Sequence, residues 1–592
     1  MASVSAGIHA EIIETTRLAG FGQPKYPENF QHFEYVNAKA PKYGQVTFGQ
    51  IGTYDNFNRY ASRGVSAAAT GELYDALMFG PSDEIDSHYP LIAEKVRYSD
   101  DFMWMEVDLN ANAKFHDGKP ITAHDVAFTF DKFMTEGVPQ FRVYYKDIKS
   151  VKALNERTVR VEMAHANREK LFSFVQSIPI LPQHFWQDKN FSQPLDTPPV
   201  GSSAYKIIDY KPGQSVTYAL ADDYWAKELP VNIGRNNFQQ IRYDYYRDET
   251  VLLEAFKAGE FDIRQESSAK FWASSYTGSN FDRGYIVKEE IPHQKPVATQ
   301  GFVFNTQRPV FRDPKVREAL NYAFDFEWMN KNMFYNSYLR TRSYFENSAY
   351  EANGLPSQGE LDILLPNKSN IPERVFTQSY QPPQTDGSGR IRSQMRTAFK
   401  LLKDAGWVLK DGVMMNAQSE PFEFELLVYS PTTERYAIPL QKNLKRLGVH
   451  MKIRTIDTTQ YTKRLRDRDF DMVSSSYPAM NYPSPDLMIV WNSEYIDSTY
   501  NKAGVMDPVV DELTLAIARN QQDPNKLKML GRALDRVLQW GFYMIPQWYI
   551  NNYRVASWDK FERPKVMPIY DLGLDTWWVS KQKASKLPEQ RQ

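Results

Sequence analysis

The chain has 592 residues, with 71 Lys+Arg against 72 Asp+Glu, a formal net charge of −1 and a pI near 6.8. At ~100–200 residues per domain this length implies several lobes, and charge this evenly balanced argues against a nucleic-acid binder. Mean hydropathy is −0.56; the longest uncharged run, Val537–Tyr553, has Gln, Asn and Pro inside it and falls short of the ~20 apolar residues of a spanning helix, which predicts a soluble protein.

Cysteine is absent, which removes disulfides, thiolate metal sites, cysteine nucleophiles and a lipidated N-terminal cysteine. Met1-Ala2-Ser3-Val4-Ser5 carries neither a charged n-region nor an apolar h-region. The alternatives are a cytosolic protein, or a mature form whose signal has been replaced by an initiating Met. The 36 Tyr, 35 Phe and 12 Trp make 14% of the chain. Most must be core, yet the number also suits a large cleft that meets ligands with ring faces.

In chain order, the first 44 residues read as an irregular arm rich in Pro, Lys and aromatics, followed by a strand over Gln45–Ile51 and a helix over 66–79. Segments 104–109 and 157–163 alternate apolar and polar residues as half-buried strands do. Asp248 caps a helix that Gly259 ends, and Asp313-Pro314 and Asp507-Pro508 open two more by the cap-plus-proline rule. A helix with Met395, Ala398, Phe399 and Leu402 on one side ends near Gly406; Gln378–Arg392 is a surface loop; and 438–447 is a helix followed by a strand with Val449, Met451 and Ile453 on one face. Lys463–Asp471 mixes both signs and reads as a solvated helix face. Helices and strands interleave throughout, which predicts α/β lobes.

Catalytic motifs give no foothold. There is no GxxxxGK[ST] loop, HExxH helix, GxSxG elbow or EF-hand loop. Ser267-Ser268-Ala269-Lys270 satisfies SxxK without its KTG companion, and His116 and His124 flank a turn and a helix cap at Thr122 that give them structural roles. The chain is therefore expected not to be an enzyme and to need no cofactor or metal.

One long block is more specific: Pro90–Phe130, PLIAEKVRYSDDFMWMEVDLNANAKFHDGKPITAHDVAFTF. It resembles the signature of the solute-binding proteins of dipeptide and oligopeptide ABC transporters, in which a strand pair leads through an FHDG turn into a capped helix. Tyr246–Ile263, Gly301–Phe324, Arg396–Gly412 and Leu440–Asp471 are similar to further blocks of that family, in the family's order. The arm Leu18–Phe57 and the tail Asp559–Trp578 are similar to the Yej-type branch, which is associated with uptake of peptides and of microcin C-like conjugates.

The resemblance implies a two-lobed α/β periplasmic-binding-protein fold (type II, cluster C) with an extra inserted subdomain and a hinge between the lobes. Residues 1–44 would be an arm on lobe I; 45–66, 200–295 and 546–592 would build lobe I; 67–199 would be its inserted subdomain; and 296–545 would form lobe II. Crossings near Pro292–Pro296 and Ile545-Pro546 would make the hinge. The implied function is the extracytoplasmic component of an ABC importer that captures oligopeptides or peptide-like conjugates in an inter-lobe cleft and delivers them to an inner-membrane permease by transient docking. It would act as a periplasmic monomer, without nucleic acid, as a mature form and not a lipoprotein. The alternatives are the same scaffold holding a non-peptide solute (oligosaccharide, opine or haem) or a peptide or glycan hydrolase.

An extended peptide presents unpaired backbone groups and two charged ends, so a binder that tolerates many side chains grips the backbone by strand addition and supplies opposite charge to the ends. Related binders receive the ligand's amine on an Asp four residues before a Pro. Counting back from Pro485 gives Asn481, and an amide cannot neutralise an ammonium. Either Asp486 supplies the charge, or a free N-terminus is not anchored in this way. The resemblance also carries Tyr477 into the site, and Ser430–Arg435 as a loop whose Arg435 could pair bidentately with a carboxylate. Tyr54, Asp55, Asn56 and Val65 match first-lobe segments, and Trp491 and Trp548 are aromatic candidates that could equally be core.

Overall fold

In a computed structural model that describes residues 11–589 apart from 21, 138 and 522, the chain divides into two units: Met1–His293 with Asn552–Gln592, and Gln294–Asn551. The residues Met1–Ser5, read above as lacking signal-peptide features, lie outside the described part. Among the described residues no helix is long and apolar enough to cross a membrane.

The two largest sheets among the described residues of the first unit have seven and five strands. The larger has seven strands in the order Tyr205–Lys211, Ser215–Leu220, Gln240–Tyr246, Gln45–Ile51, Ile263–Gln265, Asn552–Trp558 and Ile286–Pro292. Gln45–Ile51 lies in its middle, parallel to Gln240–Tyr246. In the five-stranded sheet, Trp104–Leu109 buries Met105, Val107 and Leu109 while Thr158–Met163 buries Val159, Val161 and Met163. The two strands pair with Met105 opposite Val161 and Val107 opposite Val159; this is the alternation a one-sided core requires. The next helix, Ala123–Thr135, starts with a full capping box: Thr122 accepts from the Asp125 amide and the Asp125 carboxylate accepts from Thr122 N at 2.9 Å.

Two expectations for this unit are corrected. The arm is not wholly irregular: Ile12–Thr15 pairs with Ala93–Ser99 and Leu18–Ala19 with Ser87–Pro90. Tyr26, Phe30, Phe33 and Tyr35 then bury themselves against Tyr89 and Tyr224. Residues 66–79 contain a short 3-10 turn, Thr70–Leu73, and a strand, Met78–Phe79, instead of a helix. Bridges Asn56↔Ser66 and Ala76↔Pro179 hold the segment extended at both ends; long-range pairing outweighs a local propensity worth only tenths of a kcal/mol per residue. The SxxK serine has a plain structural task, since Ser268 caps Ala269–Ser274 by accepting from Phe271 N. His116 is held at 2.7 Å from the Ser203 carbonyl and burial lowers its pKa.

The second unit carries a five-stranded mixed sheet in the order His450–Thr455, Glu423–Val428, Met472–Tyr477, Thr299–Phe304 and Met544–Pro546. The first three run parallel; the last two join by antiparallel pairing, Thr299–Phe304 against both Met472–Tyr477 and Met544–Pro546. Gly301 sits where neighbouring strands close in: a Cβ there would meet Met544 Sδ at 2.5 Å and Ile545 O at 2.6 Å. The chain leaves this unit at Asn551–Asn552 rather than at Ile545-Pro546, because Met544–Pro546 and Trp548–Tyr549 stay paired with Thr299–Phe304 and Leu339–Arg340. The helix expected over 438–447 spans Pro431–Arg446, with Pro439 inside it. The run Lys463–Asp471 is helical only to Arg466, where Thr458–Arg466 ends.

Ionised groups are buried in the second unit. Arg536 and Glu360 are 0% and 2% exposed and meet at 2.7 Å. Asp535, fully buried, accepts from Ser343 Oγ at 2.7 Å, Tyr344 N at 2.8 Å and Ala352 N at 2.9 Å. Burial nevertheless dominates and pushes its pKa up to about 7. Burial likewise raises Glu346 to about 7.

Removing one partner of a buried pair leaves the other charge uncompensated, so Glu360→Gln is expected to cost about 3–5 kcal/mol, read as a lower denaturant midpoint. A carboxyl whose folded pKa is raised adds stability that is complete below its unfolded value and is lost as pH rises through the folded one. The melting temperature is therefore expected to fall between pH 5 and 8, opposed in part by the lowered His116, and the slope to be shallower in Asp535→Asn.

Candidate ligand-binding site

The site follows from where one strand stops. Glu423–Val428 pairs with Met472–Tyr477 only at Leu426↔Met472 and Leu427↔Val473. It then ends because Ser430, in extended conformation, caps the next helix by accepting from Thr432 N, with Pro431 at the first helical position. The segment expected as a cleft loop, Ser430–Arg435, is thus the first turn and more of a helix. Met472–Tyr477 runs on. Among the described residues its Ser474-Ser475-Ser476-Tyr477 stretch keeps only the antiparallel partners Phe302, Gly301, Gln300 and Thr299.

Beside this extended edge lies a cavity of about 460 Å³. Its floor is Ser474, Ser475, Ser476, Gln300 and Gln547, and its walls are Thr433 and Tyr436 from the helix Pro431–Arg446, Tyr461 and Thr462 from Thr458–Arg466, and Tyr429 and Trp548. The rings form two edge-on pairs, Tyr429–Tyr461 at 4.9 Å and Tyr436–Trp548 at 5.3 Å. Gln300 Nε2 donates to the Trp548 carbonyl at 2.8 Å, and Gln547 N donates to the Gln300 carbonyl at 3.0 Å. Tyr461 Oη donates to the Ser474 carbonyl, and Lys502 Nζ to that of Ser476 at 2.6 Å. Loss of water lowers the pKa of Lys502. The position, at the carboxyl ends of parallel strands, is where open α/β sheets hold ligands.

A sequence profile of the bacterial extracellular solute-binding proteins, family 5, matches residues 88–499. The chain belongs to this family. It is 52% identical to YejA of Escherichia coli (strain K12) over 584 residues, covering 98% of this chain and 96% of that one. To a probable peptide-binding protein YejA of Agrobacterium fabrum it is 37% identical over 575 residues, 95% and 93% of the two chains. The fold of the oligopeptide-binding protein AppA of Bacillus subtilis, solved with a nonapeptide, superposes with a TM-score of 0.62 at 19% identity over 92% of this chain and all of that one. The architecture of this solute-binding protein is accordingly the two-lobed α/β fold of its family.

Of the residues expected in the site, Trp548 lines the cavity. Arg435 is exposed beside it, its guanidinium 5.5 Å from the Tyr436 ring. Asn481 and Asp486 are exposed on the segment that follows the serine strand; Asp486 precedes the helix Leu487–Trp491 without accepting a capping bond. Tyr477 and Trp491 are each 2% exposed and meet in a tilted ring pair at 4.3 Å, with Tyr344 against Trp491 at 4.9 Å. Both rings pack in the core of the unit, Tyr477 from the end of its strand and Trp491 from the end of the helix Leu487–Trp491.

In the first unit the four expected residues also divide. Tyr54 is buried and donates to Ser215 O at 2.8 Å and Lys211 O at 3.1 Å, and burial raises its pKa to about 12. Asn56, 1% exposed, accepts from Asn58 N at 2.8 Å. These two build the loop. Asp55 and Val65 are exposed and tied together, Asp55 N donating to Val65 O at 2.9 Å and Val65 N to Asp55 Oδ1 at 2.9 Å. The bond from Asn56 Nδ2 at 2.7 Å leads the effects that hold the Asp55 carboxyl below its ordinary pKa.

Sequence reasoning missed Gln300, Tyr429, Tyr436, Tyr461 and Gln547. The triple serine was the available signal, since three hydroxyls in succession break the apolar pattern of the strand Met472–Tyr477, where Ser474 and Ser475 are half-buried and Ser476 is exposed. In Asp55→Ala the Val65 amide loses its acceptor, and hydrogen exchange there is expected to be faster than in the parent.

Proposed function

We propose that this protein captures oligopeptides or peptide-like conjugates in the periplasm and hands them to the inner-membrane permease of an ABC importer, as a monomer that releases its ligand unaltered. The observation that carries the reading is the serine strand that outruns its parallel neighbour beside a cavity. An edge of this kind can take an extended peptide as an added strand, so that affinity comes from backbone groups and the cavity receives one side chain. Arg435 would face the ligand's carboxylate, and Asn481 with Asp486 its amine. Support comes also from the Agrobacterium relative, whose name records peptide binding. We further propose that residues 67–199 form a subdomain inserted into the first lobe, supported by the separate five-stranded sheet they supply with most of its strands.

A second reading, a non-peptide solute such as a saccharide, is favoured by the rings and hydroxyls of the cavity. Mass spectrometry of whatever the purified protein releases on denaturation separates the two.

Calorimetric titration with short peptides of varied sequence is expected to show saturable binding, and thermal shift to show stabilisation. No response across the set would overturn the proposal. Arg435→Ala is expected to weaken binding by about 1.5–3 kcal/mol, the range for a hydrogen bond to a charged group, and much less for peptides with an amidated C-terminus. Asn481→Ala is expected to weaken peptides with a free N-terminus more than acetylated ones.

A further inference from the structure

Side chains hold the carbonyls of Ser474 and Ser476 along the free edge of the serine strand. Tyr461, a wall of the cavity, donates to the Ser474 carbonyl. Carbonyls two residues apart on a strand point the same way, ~7 Å from one another. The Ser476 carbonyl therefore faces the cavity's side of the edge as well, and the ammonium of Lys502 sits on it at 2.6 Å. Ser476 is an exposed residue of the lining and Lys502 is half-buried, so the bond between them is open to solvent and to a ligand.

This ammonium is a charge without a counter-charge. A lysine ammonium has three N–H donors, of which Ser476 takes one. The Tyr477 ring lies 5.3 Å away. Among the described residues no carboxylate offsets the loss of water that lowers the Lys502 pKa, and the lining of the cavity holds no Asp or Glu. A cation that has given up part of its water without gaining an anion is unfavourable.

The loop that carries Lys502 fixes where the charge stands. Arg468 donates to the carbonyls of Asn501 at 2.7 Å and Lys502 at 3.2 Å, and also to those of Ile496 and Ser498. On the other side, Thr306 N donates to Ala503 O and Gln307 Nε2 to Gly504 O, each at 2.8 Å. The main chain is held before and after Lys502, so only its side chain is left to order, and a donor placed in advance costs little entropy on binding.

We infer that Lys502 is a specificity-determining residue of the site, its ammonium receiving an anionic group carried along the ligand at the Ser476 end of the cavity. The inference rests on the peptide reading above, in which Arg435 takes the ligand's terminal carboxylate and Lys502 is left for a second negative group. Two sources share the chemistry: the carboxylate of an acidic side chain, and a phosphate borne on a hydroxyl side chain. Either brings oxygens to the remaining N–H groups and compensates the charge, as in other charge-assisted bonds.

The test is calorimetry on the full chain with tetrapeptides of alanine in which one position at a time is Glu, phosphoserine, Gln or Lys. Both termini stay free in every peptide, so their contribution cancels. At the position that meets Lys502, Glu or phosphoserine is expected to bind at least about tenfold tighter than Gln, with Lys weakest. The larger gain for Glu assigns a carboxylate, and the larger gain for phosphoserine assigns a phosphate. In Lys502→Met, which keeps the stem and removes the charge, the advantage over Gln is expected to fall to about threefold or less. In Lys502→Arg, which keeps the charge, it is expected to stay above that. Gln or Lys binding as tightly as Glu and phosphoserine at every position, or an unchanged advantage in a folded Lys502→Met, would overturn the inference while leaving peptide capture standing. Failure of all four sets to bind would overturn peptide capture itself and the inference with it. The parent protein's ranking decides the matter even where a variant does not fold.

Discussion

Much of the second unit's chemistry depends on a strand that ends early. Glu423–Val428 is stopped by Ser430, whose hydroxyl satisfies an amide at the helix start, and by Pro431, which has no amide to offer a sheet and a φ already suited to a helix. Its neighbour Met472–Tyr477 has no such signal and continues. A strand that outlasts its partner leaves main-chain groups at an edge, which proteins usually cover or charge. Here the covering is partial: Tyr461 and Lys502 each occupy one carbonyl, and the space between helices and sheet stays open as the cavity.

The surroundings of that edge explain how a polar cavity is tolerated inside a well-packed unit. Trp548 packs its ring against Phe334 at 4.5 Å while its carbonyl holds Gln300, so one residue serves the core and the cavity wall at once. Deeper in the unit, the Arg536–Glu360 pair and the Asp535 cluster pin the segment 342–360 onto the helix Pro524–Gly541. Such buried ionic contacts add little net stability over apolar packing, but each has few alternative partners, so they define one arrangement of the segments around the sheet.

The reading from sequence was strongest where a feature is local. The caps at Thr122, Asp248, Asp313 and Asp507 are all made by the expected side chains, and Gly259 takes the left-handed conformation that ends its helix. These signals involve residues within four positions of each other. It was weakest where distant segments decide. Residues 66–79 have helical composition but are held extended by Asn56 and Pro179, and the arm gains two strands from pairing partners about 70–85 residues away. Among the residues expected in the site, Tyr54, Asn56 and Tyr477 are buried, and Trp491, for which a core position stood as the equal alternative, is buried too; sequence marks position along the chain, whereas the direction of a side chain is set by the packing of several elements.

Family membership, the alternation of its strands, the helix caps at Thr122, Asp248, Asp313 and Asp507 and the absence of a catalytic motif were therefore settled by residue order alone, since each depends on short spacings or on blocks that recur in a fixed succession. The outward or inward turn of each aromatic, the point where the chain leaves the second unit, and the lining of the cavity were decided only by tertiary structure. Gln300, Tyr436, Tyr461, Ser474 and Gln547 are scattered over about 250 residues, and nothing in their individual neighbourhoods announces that a sheet and two helices bring them to one wall.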